Sequence, residues 1–353
     1  MPFPLGEWID AHADCRYNLG KSGMSASIPA PLPSAGEVRR ADENELRGRL
    51  ADDLGVDPRR VFLTTGASAG NGLTMLFLAR QRPGKSAGGC RVCYPEYPPL
   101  FETARAAGFR LTDAVGPVEL AVLSQPRNPE GDLWDRTRIL DWASDARSLL
   151  VDEEFREFAR TRSILGTGRP GLWATGSFTK FYAGDDLRLG WVVAPEDRAH
   201  EFARFHGLVT NELTPFSVAG ALHALDDRER IRRKVFAIFG ANLTAARRSF
   251  PHGRSVRAPV LFDRPESGER GDSLADRALR ASVLVCSGSF FGDPTGVRLC
   301  LTRRSFPTDL EAYLAVRDRR PADRRRGPHP RTVRGRAARP PPEGSDRAKG
   351  ARS

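Results

Sequence analysis

Short apolar runs alternate along the chain with segments of helical spacing. The first clear helix is ENELRGRLADDLG, Glu43 to Gly55. Its apolar residues at 46, 50, 51 and 54 fall on one face, and Gly55 supplies a stop. RRVFLTTGASAGNGLTMLFLAR then predicts a strand at Val61 to Leu63, a small-residue turn and a helix at Leu73 to Ala79. The pattern repeats. CRVCYPEYPPLFETARAAG reads as strand, turn and helix, FRLTDAV as a short strand, and AVLSQPRNPEG as strand and loop. DRTRILDWASDA reads as a helix, SLLVDEEF as a strand ending in acids, and GLWATGSFTK and LRLGWVVAP complete the run. Strands alternating with helices indicate an α/β fold with a mostly parallel sheet, and ligands of such sheets gather beyond the carboxyl ends of the strands.

From about Arg228 to Arg248 a long basic helical stretch leaves this alternation. APVLFD, ASVLVCSGSFFG and VRLCLT then read as short strands around one helix, SLADRALRA, which predicts a smaller α+β domain. Residues 1–45, with NLGKSG and the proline-dotted IPAPLPS, predict an extended arm laid over the fold that completes this small domain. The expected division is therefore 1–45 arm, 46–227 large domain, 228–318 small domain and 319–353 tail.

Charge sharpens the last boundary. Residues 319–353 carry 12 Lys and Arg against 3 Asp and Glu, a local +9, which leaves the other 318 residues at +2. Rich in Pro, Gly and Arg, this tail cannot bury enough surface to offset its ordering entropy and is expected to be disordered. It could contact nucleic acid through phosphates. It has no interleaved aromatics for base stacking, so a solvated appendage is the favoured reading.

At 353 residues the chain can bury a substantial core. It has no run of about 18 apolar residues, and its N-terminus shows no basic segment followed by an apolar one, so a cytoplasmic protein without a membrane span is expected. Five cysteines fit reduced thiols better than a disulfide framework, and the lone Cys90–Cys93 pair runs into YPEYPP. His12, His206 and His223 have no spaced partners, so no metal site is expected.

Chemistry concentrates at predicted strand ends. GAS at Gly66 to Ser68 is a turn that offers unpaired backbone N–H groups and a positive helix end, which suits a phosphate, although it lacks the lysine of a nucleotide-binding loop. NPEG at Asn128 to Gly131 and VDEEF at Val151 to Phe155 follow two further strands. In ATGSFTKFYAGDDLRLGWVVA, Lys180 sits in a small-residue turn with Ser177 three before it and Arg188 eight after.

In order and spacing these segments, from roughly Leu46 to Leu301, resemble the fold-type I pyridoxal phosphate enzymes. Among them the class I/II aminotransferases are nearest, and within those the histidinol-phosphate aminotransferase and threonine-phosphate decarboxylase group. The resemblance implies an aspartate aminotransferase-like three-layer large domain, a homodimer and pyridoxal 5'-phosphate as cofactor. It makes Lys180 the Schiff-base lysine and proton-moving base, and Asp152 the partner of the pyridine nitrogen. It makes Asn128 the hydrogen-bond donor to the ring 3′-oxygen and Tyr97 the stacking ring. It assigns the phosphate to the backbone of Ala67 and Ser68 with Ser177 and Arg188, and the substrate α-carboxylate to Arg298.

Two positions depart from the family. Phe155 stands where a tyrosine usually follows the aspartate by three residues, and AGEVRRADENELR offers no match for the tyrosine supplied across the dimer. Glu153 and Glu154 read as structural, and Asp185 and Asp186 as solvating or capping the turn. The expected function is an aminotransferase moving the amino group of an amino acid or amino-acid-derived amine to a 2-oxo acid. The alternatives are a decarboxylase or lyase on the same fold, or a non-catalytic protein tethered by its basic tail.

Overall fold

Seven of the apolar runs assemble into one sheet at the centre of the computed structural model, which describes residues 3–81, 88–210, 212–250, 253 and 255–319. A short strand of the arm, β1 (Tyr17–Asn18), precedes them. The sheet strands are β2 (Val61–Thr64), β3 (Gly89–Val92), β4 (Arg110–Thr112), β5 (Val118–Ser124), β6 (Ala146–Asp152), β7 (Leu172–Ser177) and β8 (Gly190–Val193). They lie in the order β2-β8-β7-β6-β5-β3-β4. From β4 to β7 every pairing is parallel. The exception is β8, which runs antiparallel to both β7 and β2.

Alternate residues of these strands feed two separate cores. Leu63, Leu123, Leu149, Val151, Ala174 and Val193 face one layer; Phe62, Leu120, Val122, Leu150, Trp173 and Val192 face the other. Because both faces are covered, the strands read as continuous apolar runs rather than as alternating ones. Leu46, Leu50 and Leu54 of the helix Glu43–Leu54 close the first face. That helix ends at Gly55 in the left-handed region, φ +68, as its glycine stop predicts. Helices Ala67–Arg80, Pro98–Ala106 and Glu196–Val209 close the second face through Phe77, Leu100 and Phe202. The first of these begins at Ala67, well before the expected Leu73, because Gly66 turns the chain directly off β2 into the helix.

The arm is less extended than its Pro and Gly content predicts. Pro4–Ala11 and Ala35–Arg39 are helices, the second closed at its start by a reciprocal Ser34–Glu37 capping box. Proline opens the first helix, where its missing N–H costs nothing. Leu5 is buried beside Phe291, and the Trp8 indole donates to Val285 O at 2.9 Å. Downstream lie the long helix Arg228–Ser249, β9 (Val260–Asp263), β10 (Val283–Leu284), β11 (Cys286–Ser287) and β12 (Val297–Cys300). β11, β12 and β9 form an antiparallel sheet, while β1 pairs in parallel with β10. Helices Pro215–Asp226 and Phe306–Arg317 have no counterpart in the sequence reading. Residues up to Arg319 make one compact unit that holds all three sheets. The tail beyond it lies outside the described residues.

Candidate active site

Strand direction decides what meets at the carboxyl edge of the sheet. β5, β6 and β7 run the same way, and β2 shares that direction because β8 reverses between it and β7. The segments that leave β2, β5, β6 and β7, and the residues that lead into reversed β8, therefore all lie at one edge. This gathers Gly66–Ser68, Asn128, Asp152, Lys180 and Arg188. A cavity of about 490 Å³ opens there. Its wall includes Ala67, Ser68, Tyr97, Asn128, Asp152, Lys180, Arg188 and Arg298. Leu5, Ile9 and Asp10 of the arm helix and the loop Gly20–Gly23 close its outer side.

Asp152 ends β6 fully buried. Its Oδ2 accepts from Asn71 Nδ2 at 2.8 Å and its Oδ1 from the Glu154 backbone N–H at 3.0 Å. Burial raises its pKa against the lowering effect of the Asn71 bond. Asn71 is itself fixed, because its Oδ1 accepts the Thr175 hydroxyl at 2.7 Å. A polar side chain one turn into a small-residue helix was the available signal for Asn71, and the sequence reading passed over it.

Lys180 lies in the turn after β7, with its Nζ 4.0 Å from Asp185 Oδ1. Its carbonyl accepts from Met24 N at 2.9 Å, which ties the arm to the turn. Ser25 donates from its hydroxyl to Asp185, so Asp185 binds arm to turn besides facing the lysine. Ser177 lies apart from the cavity wall. Its hydroxyl donates to Glu154 Oε1 at 2.7 Å and receives the Thr179 N–H at 3.0 Å.

Arg188 takes a left-handed backbone, φ +46, at the entrance to β8, and its guanidinium makes a long 3.5 Å contact with Thr65 O. A Cβ on Gly66, whose φ is +108, would stand 3.7 Å from that guanidinium. Turn and arginine thus border the same small space. On the opposite wall Arg298 of β12 is buried, donating to Gly20 O at 2.9 Å and to Asn128 Oδ1 at 3.4 Å, while its Nε has no partner. Asn128 is held from behind, its N–H donating to Ser124 Oγ at 2.8 Å, and that hydroxyl donates to buried Glu96 at 2.6 Å.

A three-layer sheet of this order, with a lysine turn beside a buried carboxylate at its carboxyl edge, defines the fold-type I class of pyridoxal phosphate enzymes. Residues 38–305 match the family described as Aminotransferase class I and II. A histidinol-phosphate aminotransferase of Haloarcula marismortui is 29% identical over 340 residues, covering 85% of this chain and 89% of its own. The threonine-phosphate decarboxylase of Pseudomonas aeruginosa is 24% identical over 329 residues, covering 89% and 91%. Among solved structures, the aspartate aminotransferase of Thermus thermophilus with maleate superposes with a TM-score of 0.75 at 19% identity, covering 90% of this chain and 97% of that one. The chain belongs to the class I and II aminotransferases. It is a pyridoxal phosphate-dependent aminotransferase acting on small molecules. Among the described residues no helix is long and apolar enough to cross a membrane.

Proposed function

We propose that this enzyme transfers the amino group of an amino acid or amino-acid-derived amine to a 2-oxo acid, with Lys180 as the reacting lysine. The observation that carries the reading is the convergence of Lys180, Asp152, Asn128, Arg188 and Arg298 on one cavity. The residues present fit the cofactor. The Ala67–Ser68 helix start and the Arg188 fork supply donors to a phosphate. Asp152, held by Asn71, supplies a buried carboxylate to a protonated ring nitrogen, and the half-satisfied Arg298 supplies N–H donors to a substrate carboxylate.

Bound there, the cofactor supplies the electron sink for the charge left when the substrate α-proton departs. Lys180, as its free amine, takes that proton at Nζ and returns it. Asp152 keeps the nitrogen proton in place by remaining an anion. Tyr97 would cover the ring of a bound cofactor and Asn128 would donate to it, while the arm helix with the Gly20–Gly23 loop would limit water.

Charge supports a donor without a phosphate. Beyond the residues already given a role, the charged groups on the cavity wall are Asp10, Glu154 and Asp185 against Lys21. A second phosphate would find one lysine and three carboxyl groups. Histidinol phosphate, which the names of relatives put forward, is thus the comparison to run against unphosphorylated amino acids. A homodimer accompanies this reading, supported by the exposed apolar side chains Leu208, Val209 and Phe216.

The test is the absorption spectrum with added pyridoxal phosphate, followed by single turnovers with a panel of amino donors. A cofactor band that each true donor bleaches and a 2-oxo acid restores is expected. Lys180→Ala should lose the band, and transfer should fall by about 10²–10⁴-fold or more. No band in the parent, or carbon dioxide release without need of an acceptor, would sink the reading.

A further inference from the structure

Glu96, between β3 and the helix Pro98–Ala106, is fully buried. Three donors meet its carboxyl. Oε1 accepts the Tyr97 backbone N–H and the Ser124 hydroxyl, both at 2.6 Å, and Oε2 accepts the Ser124 backbone N–H at 2.8 Å. Ser124 passes the contact on, since its Oγ accepts the Asn128 N–H at 2.8 Å. Carboxyl and hydroxyl thus join the two segments whose side chains, Tyr97 and Asn128, stand on the cavity wall. The Glu96 backbone N–H makes a further tie, to Phe291 O at 3.0 Å, and the Phe291 ring lies 4.9 Å from the Arg298 guanidinium.

A residue that only filled this space would be apolar, because replacing a buried charge by well-packed hydrocarbon of like volume is often neutral or stabilising. Burial pushes the Glu96 carboxyl up to about 7, opposed first by the Arg127 charge and then by the three donors. The Arg127 guanidinium itself donates to the Cys93 and Pro95 carbonyls. What the carboxyl fixes is the spacing between Tyr97 and Asn128. A ring that Tyr97 covers and Asn128 meets at its edge tolerates little error there, since a displacement of about 1 Å can cost about 10²-fold in rate.

We propose that Glu96 is a positioning residue for the cofactor, its carboxyl locking the Tyr97 loop to the Asn128 turn through Ser124 so that the cover of the ring and its edge donor keep one spacing. This rests on the reading of Tyr97 and Asn128 as cofactor contacts. Glu96 is not on the cavity wall and acts only through the residues it holds.

Two full-length variants test it. Glu96→Gln keeps the shape, but its amide presents N–H groups to a donor that the carboxyl accepted. Ser124→Ala leaves Glu96 on the Tyr97 N–H and cuts only the branch to Asn128. In the cofactor-free chain the Asn128 amide should exchange its hydrogen about tenfold faster in Glu96→Gln, although that side chain does not touch it, while the helix Ala67–Arg80 keeps the parental rate. With pyridoxal phosphate bound, the ellipticity of the visible band per bound cofactor should change in both variants, and kcat should fall by about 10²-fold in Glu96→Gln. KM for the amino donor should stay near the parental value, because the backbone bond to Phe291, and with it the support of Arg298, survives. An acid that only holds the fold together would lower the melting temperature and leave ellipticity per cofactor and kcat unchanged, and that result overturns the proposal. So does a parental rate of Asn128 exchange in Glu96→Gln. Should Glu96→Gln fail to fold, Ser124→Ala decides, and unchanged ellipticity there overturns the proposal too. Hydrogen exchange needs no cofactor, so its outcome is distinct from failure of the aminotransferase reading, whose sign is a missing cofactor band in the parent.

Discussion

At the scale of single residues, the buried acids at the end of β6 govern behaviour with pH. Glu154 binds its proton more tightly folded than unfolded, with the ordinary value of 4.5 raised to about 7. A raised acid of this kind lends stability below the unfolded value and loses it as pH rises through the folded one. The cofactor-free protein should therefore lose stability from about pH 4.5 to about pH 7, and thermal denaturation across that window should show Glu154→Gln with a flatter profile. Asn71 acts in the opposite sense on Asp152. In Asn71→Ala the buried Asp152 oxygen loses its donor, a charge-assisted bond of about 1.5–3 kcal/mol, and the anion that a protonated ring nitrogen needs becomes harder to form. Cofactor retention should weaken by about tenfold or more, as an absorbance titration would measure, with Asn71→Asp no better. Lys180, Asp152 and Arg298 were legible because their spacing survives in a linear reading. Asn71 and Glu154 were not, since their meaning arises only when a helix start and a strand end are brought side by side.

At the scale of elements, the reversed strand β8 is the feature that composition hid. Its apolar run reads like any other strand, and direction is not written in hydropathy. Gly190 opens it, with room for no side chain: a Cβ would meet Gly66 C at 2.6 Å, Gly176 O at 2.7 Å and Ala67 N at 2.8 Å. Backbone, not a flexible side chain, occupies that space. Gly190→Ala should cost about 1–3 kcal/mol and push the Gly66–Ala67 turn off its place, so a lowered melting temperature should come together with weaker phosphate retention. The arm is the converse case. Its Pro and Gly content implied extension, yet Leu5 and Trp8 sit on one side of a short helix and find apolar partners, and tertiary burial overrode the local preference. The helices Glu196–Val209, Pro215–Asp226 and Phe306–Arg317 escaped because their apolar residues face cores assembled from distant segments.

At the scale of the whole molecule, charge and chemistry are separable. Ending the chain at Arg319 removes 11 Lys and Arg and 3 Asp and Glu and leaves a net charge of +3. Amino transfer should keep its kcat and KM in that variant, while elution from a cation exchanger should move to much lower salt. A large loss of activity would tie the tail to catalysis instead. The order of the sheet carries one more consequence. β2 joins the sheet only through β8, more than a hundred residues later, so a growing or refolding chain cannot seat the Gly66–Ser68 turn until Gly190–Val193 has docked on β7. The phosphate end of the site thus waits on β8 rather than forming with β2. In refolding, the cofactor's absorbance should not precede docking of β8, and a chain stopped before residue 190 should never show it.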